Sequence, residues 1–432
     1  MATLYSKAIT EIGALNQWLR SRIMAWLYTD NLYQYAENVG VMAYTPSRLY
    51  YANGKYYFSW YKLPGSPNNY DGMICTYDGD RISENKLARA GTDGDDDSHD
   101  YTAIIVDDNG YIYACRNTSD DLKEVKIAKS DNPYDISSFT IIQTITHGVN
   151  EVSLDGHAYP CFQKIGTDIF LILRNDLPGY RIHKKGLTDN TFSDGYRFCE
   201  IPDKCYGCLL RNSAENKIGM GTMIRQQIGA YTYRQLGYIE TTDGVTWKNA
   251  GGTWSKNVVT NGYVTDAEII ANCIIEYNPD PNEDHWFAID GMFVNGVPYL
   301  LVEEGYASDP PVATTIDYSD INIRYWDGEW KKKSIPDSIT NIPYSYNYAF
   351  RVLYHFSHDG DKFILFTLSQ DYETVTKYSS LDLITWTEIG NVFNFSGLIY
   401  SLGGSCLNRN DLAFFGTHKT GFTNFSIVFH KY

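Results

Sequence analysis

NGKYYFSW (Asn53–Trp60), DNGYIYAC (Asp108–Cys115) and GTDIFLIL (Gly166–Leu173) follow one pattern: a short polar turn runs straight into a compact aromatic or aliphatic strand. Four further stretches repeat it: ENKIGMGT (Glu215–Thr222), NGVPYLLV (Asn295–Val302), DGDKFILF (Asp359–Phe366) and RNDLAFFG (Arg409–Gly416). The turn residues Gly54, Gly110, Gly166, Asn216, Gly296, Gly360 and Asn410 recur roughly every 50 to 80 residues, the period of a four-stranded propeller blade. Two-residue hairpin turns demand positive φ, which glycine adopts freely and asparagine tolerates. The expected fold is all-β, a seven-bladed β-propeller. Such a fold places its ligand site in the central funnel, on loops from many blades.

Bulk properties narrow the function. The chain has 432 residues, 37 of them Tyr, and aromatic residues favour pleated, half-buried surfaces. A net charge of −16 argues against a nucleic-acid partner, which needs a basic footprint. An acidic surface still admits an anionic substrate, because a local arginine cluster can sit inside an acidic shell. No stretch approaches the roughly 18 apolar residues of a membrane span, so no membrane insertion is expected.

No cofactor is expected and no residues are assigned to a metal, although a structural metal ion stays open. The eight cysteines are scattered, and the pair Cys205-x-x-Cys208, with Cys199 nearby, lacks a second ligand pair at short range. Buried structural thiols are the better reading. GTDGDDDSHD (Gly91–Asp100) lacks the ligand alternation of a calcium loop and reads as a solvated turn.

Residues 1–32 are read as an N-terminal helical segment and residues 33–432 as the propeller. Leu4, Ala8, Ile12, Leu15, Leu19, Ile23 and Leu27 form an apolar stripe within residues 3–28. Two roles stay open for it: a cap packed on the disc, or an attachment or oligomerisation helix. Blades are placed at about 38–90, 100–145, 158–202, 207–252, 285–335, 348–395 and 398–432. The last is short, so residues 34–44 are expected to lend it a strand and close the ring. Asn249–Asp284, with the run YNPDPNED, reads as a loop insertion.

Some motifs are structural. TTDGVTW (Thr241–Trp247) and SSLDLITW (Ser379–Trp386) look like degenerate Asp-box hairpins, and SDNPYDISSF (Ser130–Phe139) takes the equivalent place in the second blade. In such a hairpin an acidic side chain bonds turn amides and the tryptophan packs between blades. DSHDYTAIIVDDNGYIYA (Asp97–Ala114) followed by HAYPCFQKIGTDIFLILRND (His157–Asp176) is more specific. These stretches resemble the BNR-repeat (Asp-box) propellers that include the ulvan-lyase-like polysaccharide lyases. The likeness is strongest over residues 90–250.

The resemblance carries site residues with it. In that family a His opens one blade, a Tyr before Pro opens the next, and an Arg follows on the second strand. The matching residues are His99, Tyr159 and Arg174, about 60 and then 15 positions apart. A lyase acting beside a uronic acid must neutralise the carboxylate, remove the C5 proton and protonate the departing O4 oxygen. The planar fork of Arg174 suits the first task. His99 and Tyr159 suit the base and acid roles, since neighbours tune both. As blade-opening residues they are expected to face one funnel. Arg225 falls where the family places another substrate-facing basic residue, and Tyr231, Tyr233 and His157 are added as substrate-binding residues. Two departures stand out: the Asn beside the family His is Asp100 here, and Ser119 stands where some of these lyases carry a second His.

Met1–Asp30 contains Glu11, Arg20 and Arg22 and shows neither a clean apolar core nor a small-residue cleavage site, so no signal peptide is read there. Synthesis in the cytoplasm, an N-terminal helix and a glycan-type propeller together suggest a phage virion appendage: a tail depolymerase docked through its helix or through an oligomer. An extracellular protein exported by another route is the alternative. The resulting expectation is a propeller that binds an acidic, uronate-containing polysaccharide and cleaves it by β-elimination. Its rival is a non-catalytic glycan- or receptor-binding propeller of a virion or cell-surface assembly.

Overall fold

The computed structural model describes residues 49–62, 71–77, 82–89, 102–117, 125–145, 157–175, 179–200, 206–226, 232–277, 285–307, 316–340, 354–369, 374–394, 398–403, 406–409, 413–420 and 424–431. The helix expected within residues 3–28 and the closing strand expected from 34–44 lie outside the described residues. The described strands form seven sheets in chain order, in which consecutive strands pair antiparallel. Six of these sheets carry four or more strands, and the seventh (Leu398–Gly403, Ala413–Thr420, Asn424–Lys431) has three. Among the described residues six blades are complete, where seven were expected.

The sheets are arranged as a propeller. First strands pack against first strands: Leu49–Ala52 on Thr102–Val106, and the latter on His157–Ile165. Further round, Tyr206–Leu209 packs on His285–Val294, which packs on Tyr354–His358, which packs on Leu398–Gly403. A strand caught between two neighbouring sheets is apolar on both faces, so every residue of Thr102–Val106 is buried and the sequence TAIIV shows no alternation. Each such Ile or Val contributes about 1.5–3 kcal/mol on burial.

Turn chemistry follows the repeat. Asn53 and Gly54 both take positive φ (48° and 74°), as do Asn295 and Gly296 (51° and 81°), which is the type I′ hairpin geometry. The fourth sheet departs from it: Glu215 (φ 47°) takes the left-handed position at its first turn, not Asn216. Among the outer turns, the Asp243 carboxylate accepts from the Val245 and Thr246 amides at 2.7 and 2.6 Å. Asp382 likewise accepts from the Ile384 and Thr385 amides at 2.9 and 2.7 Å. Trp247 then stacks on Phe198 of the third sheet, with centroids 4.2 Å apart and planes 7° off parallel.

The insertion after Asn249 is folded, which corrects its reading as a loop. Ser255–Asn257 and Ile274–Tyr277 join the fourth sheet, and Val264–Thr265 pairs in parallel with Tyr196–Glu200 of the third. Its short helix Asp266–Asn272 starts on a capping box between Thr265 and Glu268, which satisfies two otherwise orphaned donors.

The first and last sheets meet. The Leu407 amide donates to the Leu49 carbonyl at 2.8 Å. Asn408 serves Tyr51 like a strand partner: its side chain accepts from the Tyr51 amide at 3.0 Å and donates to the Tyr51 carbonyl at 2.8 Å.

Candidate functional site

Tyr159 and Arg174 lie on paired strands of the third sheet, His157–Ile165 and Asp168–Asn175. Cys161 pairs with Ile172 and Ala158 with Arg174, so Tyr159 and Pro160 together oppose Leu173 in a β-bulge. Tyr159 takes φ 53°, a left-handed value that a bulky residue before proline rarely adopts. Strain of that kind costs about 1–3 kcal/mol and concentrates at functional sites. The bulge also re-aims the ring out of the strand's regular alternation.

The re-aimed ring meets the arginine. The Arg174 guanidinium carbon lies 5.0 Å from the Tyr159 ring centre and 4.8 Å from that of Tyr206. The two rings meet edge to face, 5.8 Å apart at 68°. Tyr206 opens the first strand of the fourth sheet, so the pair sits where two sheets join. A guanidinium on two aromatic faces gains about 0.5–2 kcal/mol and is fixed in orientation. All three residues are near the strand ends remote from the turns at Gly166 and Glu215.

Tyr159 is 3% exposed and Arg174 6% exposed. The Tyr159 ring belongs to the apolar cluster of Cys208, Leu210, Met223 and Ala288. Tyr206 went unread in the sequence. Its available signal was position, since it opens a blade as Tyr159 does, although the flanking cysteines drew attention to metal binding.

The remaining nominated residues are only partly placed. His99 and Tyr231 lie outside the described residues. His157 begins its strand opposite Asn175, with its side chain outside the described set. Arg225 and Tyr233 are backbone partners across the second and third strands of the fourth sheet. Arg116, Arg174 and Arg225 are each the penultimate residue of the second strand of their sheet, so the three share one register position.

The other histidines separate by environment. His183 is buried, its Nδ1 3.0 Å from the Ser193 carbonyl, and burial lowers its pKa below the ordinary value. His355 Nδ1 lies 3.1 Å from the Asp290 carboxylate. Arg211 reaches the same carboxylate at 3.0 and 3.1 Å, and the Phe356 amide donates to it at 2.9 Å. Burial pushes the Asp290 carboxyl up, but Arg211, His355 and the Phe356 amide outweigh it and hold the carboxyl below its ordinary value. This buried group ties three sheets together and was not visible in the sequence.

The seven described cysteines are all buried free thiols. Among the described residues, no group of three or more His, Cys, Asp or Glu is placed to hold a metal ion. Among them, too, no helix is long and apolar enough to cross a membrane.

A family profile described as BNR repeat-containing family member matches residues 55–336, more than half of the chain. No curated protein sequence matches it. Among solved structures, the chain is similar to a PL25 polysaccharide lyase, an ulvan lyase bound to -[GlcA(1-4)Rha3S]-, with a TM-score of 0.69 and 16% identity, covering 94% of this chain and 95% of that one. A second PL25 ulvan lyase structure gives 0.67 at 16% identity, covering 90% and 92%. The polysaccharide lyase Uly1 gives 0.58 at 12% identity, covering 90% of each chain. At these identities the structural likeness speaks for the fold, an all-β propeller, and the sequence match to residues 55–336 shows that the chain belongs to the BNR repeat-containing family.

Proposed function

We propose that this propeller binds an acidic, uronate-containing polysaccharide and cleaves it by β-elimination. The observation that carries the reading is the Arg174 guanidinium held against Tyr159 and Tyr206, 5.0 and 4.8 Å from their ring centres. A planar cation fixed beside a phenol matches the two hardest demands of the reaction. The reading gains support from the glucuronate-containing oligosaccharide on the similar ulvan lyase.

In the proposed step Arg174 pairs with the uronate carboxylate, so that charge developing as the C5 proton leaves is stabilised. The electrons of that C–H bond form the C4–C5 double bond. The C4–O4 bond breaks, and the departing oxygen takes a proton. His99 and Tyr159 share the base and acid roles. Arg225, at the register position of Arg174 in the next sheet, is proposed to meet a second acidic group of the polymer, with Tyr231, Tyr233 and His157 supporting the sugar. In the same family reading, the turns at Asp243 and Asp382 are degenerate Asp boxes, as their paired amide bonds suggest.

A second reading, binding without cleavage, has one observation in its favour: Tyr159 is only 3% exposed. Incubation with uronate-containing polysaccharides separates the two. The lyase reading expects ultraviolet absorbance from an unsaturated product. A flat trace with measurable binding would replace it with the binding reading, and no binding to any such polymer would sink both.

A further inference from the structure

Residues 210–217, the connection between the first and second strands of the fourth sheet, make bonds that a hairpin turn does not need. The Arg211 amide donates to the Gly291 carbonyl at 3.0 Å, and the Phe293 amide donates to the Arg211 carbonyl at 2.9 Å. Lys217 Nζ donates to the Gly296 carbonyl at 2.7 Å. These tie the connection to the fifth sheet, an adjacent one. The Arg211 side chain goes further, to Asp290 and to the Phe356 carbonyl of the sixth sheet.

Other bonds run the opposite way round the ring. The Gly166 amide of the third sheet donates to the Glu215 carbonyl at 2.7 Å, and Lys164 Nζ donates to the Glu215 carboxylate at 3.0 Å. Lys164 also pairs with Asp108 of the second sheet. Tyr50 of the first sheet donates its hydroxyl to Glu215, and the Asn212 amide donates to Leu407 of the seventh at 3.2 Å.

In ring order the first and seventh sheets are the farthest from the fourth. A short connection that reaches them, and the third, fifth and sixth as well, must cross the axis. It is also braced internally. The Asn212 side chain accepts from the Ala214 amide at 3.1 Å and donates to the Lys217 carbonyl at 2.8 Å. Lys164 is charged: burial acts to lower its pKa, but Asp108 and Glu215 outweigh burial and raise it. Left-handed backbone at Glu215 is retained because its carbonyl and its carboxylate both serve other sheets.

We propose that residues 210–217 are an axial hub that plugs the propeller at its turn end and locks the ring, confining access to the end that carries Tyr159 and Arg174. The plug does not rest on the glycan reading. What it adds to that reading is that a bound polymer lies across one mouth and does not thread the ring.

Cys406 reports on the plug, since it is buried beside Leu407, where the hub meets the seventh sheet. Native-state alkylation of the full chain, mapped by peptide mass spectrometry, is compared for wild type and Glu215→Ala. Cys406 is expected to react roughly ten- to a hundredfold faster in the variant, the change in local opening that follows loss of bonds to a charged group. Cys199, between the third sheet and the insertion, is expected to keep its rate. Unchanged labelling of Cys406 would overturn the hub. Should Glu215→Ala expose every thiol by unfolding, Tyr50→Phe removes one hydroxyl alone. It must still raise Cys406 labelling and amide exchange at Tyr51 and Leu407, and a change confined to residues 210–217 would count against the proposal.

Discussion

Arg174 and Tyr159 are neighbours across a bulge: the guanidinium carbon lies 5.0 Å from the ring centre, and the ring's backbone is left-handed at φ 53°. A regular ladder would put Tyr159 on the ordinary alternation of its strand. The extra residue breaks that alternation and turns the ring onto the cation. The backbone strain and the cation–π contact are therefore one arrangement.

Tyr159→Phe tests whether that arrangement is chemical. The substitution deletes a hydroxyl and leaves the packed ring. Under the lyase reading, turnover on a uronate polymer falls by roughly two to four orders of magnitude while the melting temperature hardly moves. Near-wild-type turnover would assign Tyr159 to packing.

Arg174→Lys tests the fork. Lysine keeps the charge but gives up bidentate pairing and planar contact with Tyr159 and Tyr206. Turnover is expected to fall by at least an order of magnitude, with KM rising, and Tyr206→Ala is expected to cost about 0.5–2 kcal/mol of stability. Steady-state kinetics and thermal melts of the two variants provide the check.

Gly244→Ala addresses the frame. Gly244 has φ 78°, and a Cβ there would lie 2.3 Å from the Phe170 ring. Left-handed backbone and overlap together are expected to cost about 2–4 kcal/mol. Leu383 takes φ 63° at the corresponding turn, so the conformation alone is tolerated. A melt of Gly244→Ala that matches wild type would show that Phe170 moves freely.

The repeat was legible because it is local. A turn needing positive φ, followed by a strand buried on both faces, writes itself as Asn-Gly and an apolar run, and Asn53–Trp60 and Asn295–Val302 carry both signals. The insertion was misread because its helix Asp266–Asn272 is two turns long, and Pro-rich flanks outweighed a capping box visible as Thr265 and Glu268. Tyr159 and Arg174 were found through a resemblance, while the bulge that joins them leaves no periodicity to read. Arg211, Asp290 and His355 are far apart in sequence and meet only where the fourth, fifth and sixth sheets pack together, so no window of sequence contains the signal.

Asp290 makes the first pH prediction. Its folded carboxyl is held below the ordinary value of 3.8, so its contribution is present above that value and lost as pH falls through the folded one. Asp290→Asn leaves Arg211 buried without its partner charge and is expected to cost about 3–5 kcal/mol at neutral pH. Urea unfolding at neutral pH and again below pH 3.8 should show the deficit shrinking in acid. A deficit independent of pH would mean that the carboxylate charge is not what matters.

Glu303 runs the other way. It is buried on the second strand of the fifth sheet, its Oε1 has no hydrogen-bond partner among the described residues, and burial pushes its carboxyl from 4.5 up to about 8. The folded chain therefore holds a proton that the unfolded chain has released. Stability from this group is complete below pH 4.5, declines as pH rises towards about 8, and changes no further above it. At about 1.4 kcal/mol per pH unit the decline is on the order of 5 kcal/mol. Glu303→Gln fills nearly the same volume and cannot titrate. Urea unfolding of both proteins between pH 5 and pH 8 should show wild type losing stability relative to the variant by several kcal/mol. Parallel profiles would mean that Glu303 ionises in the folded protein at its ordinary value.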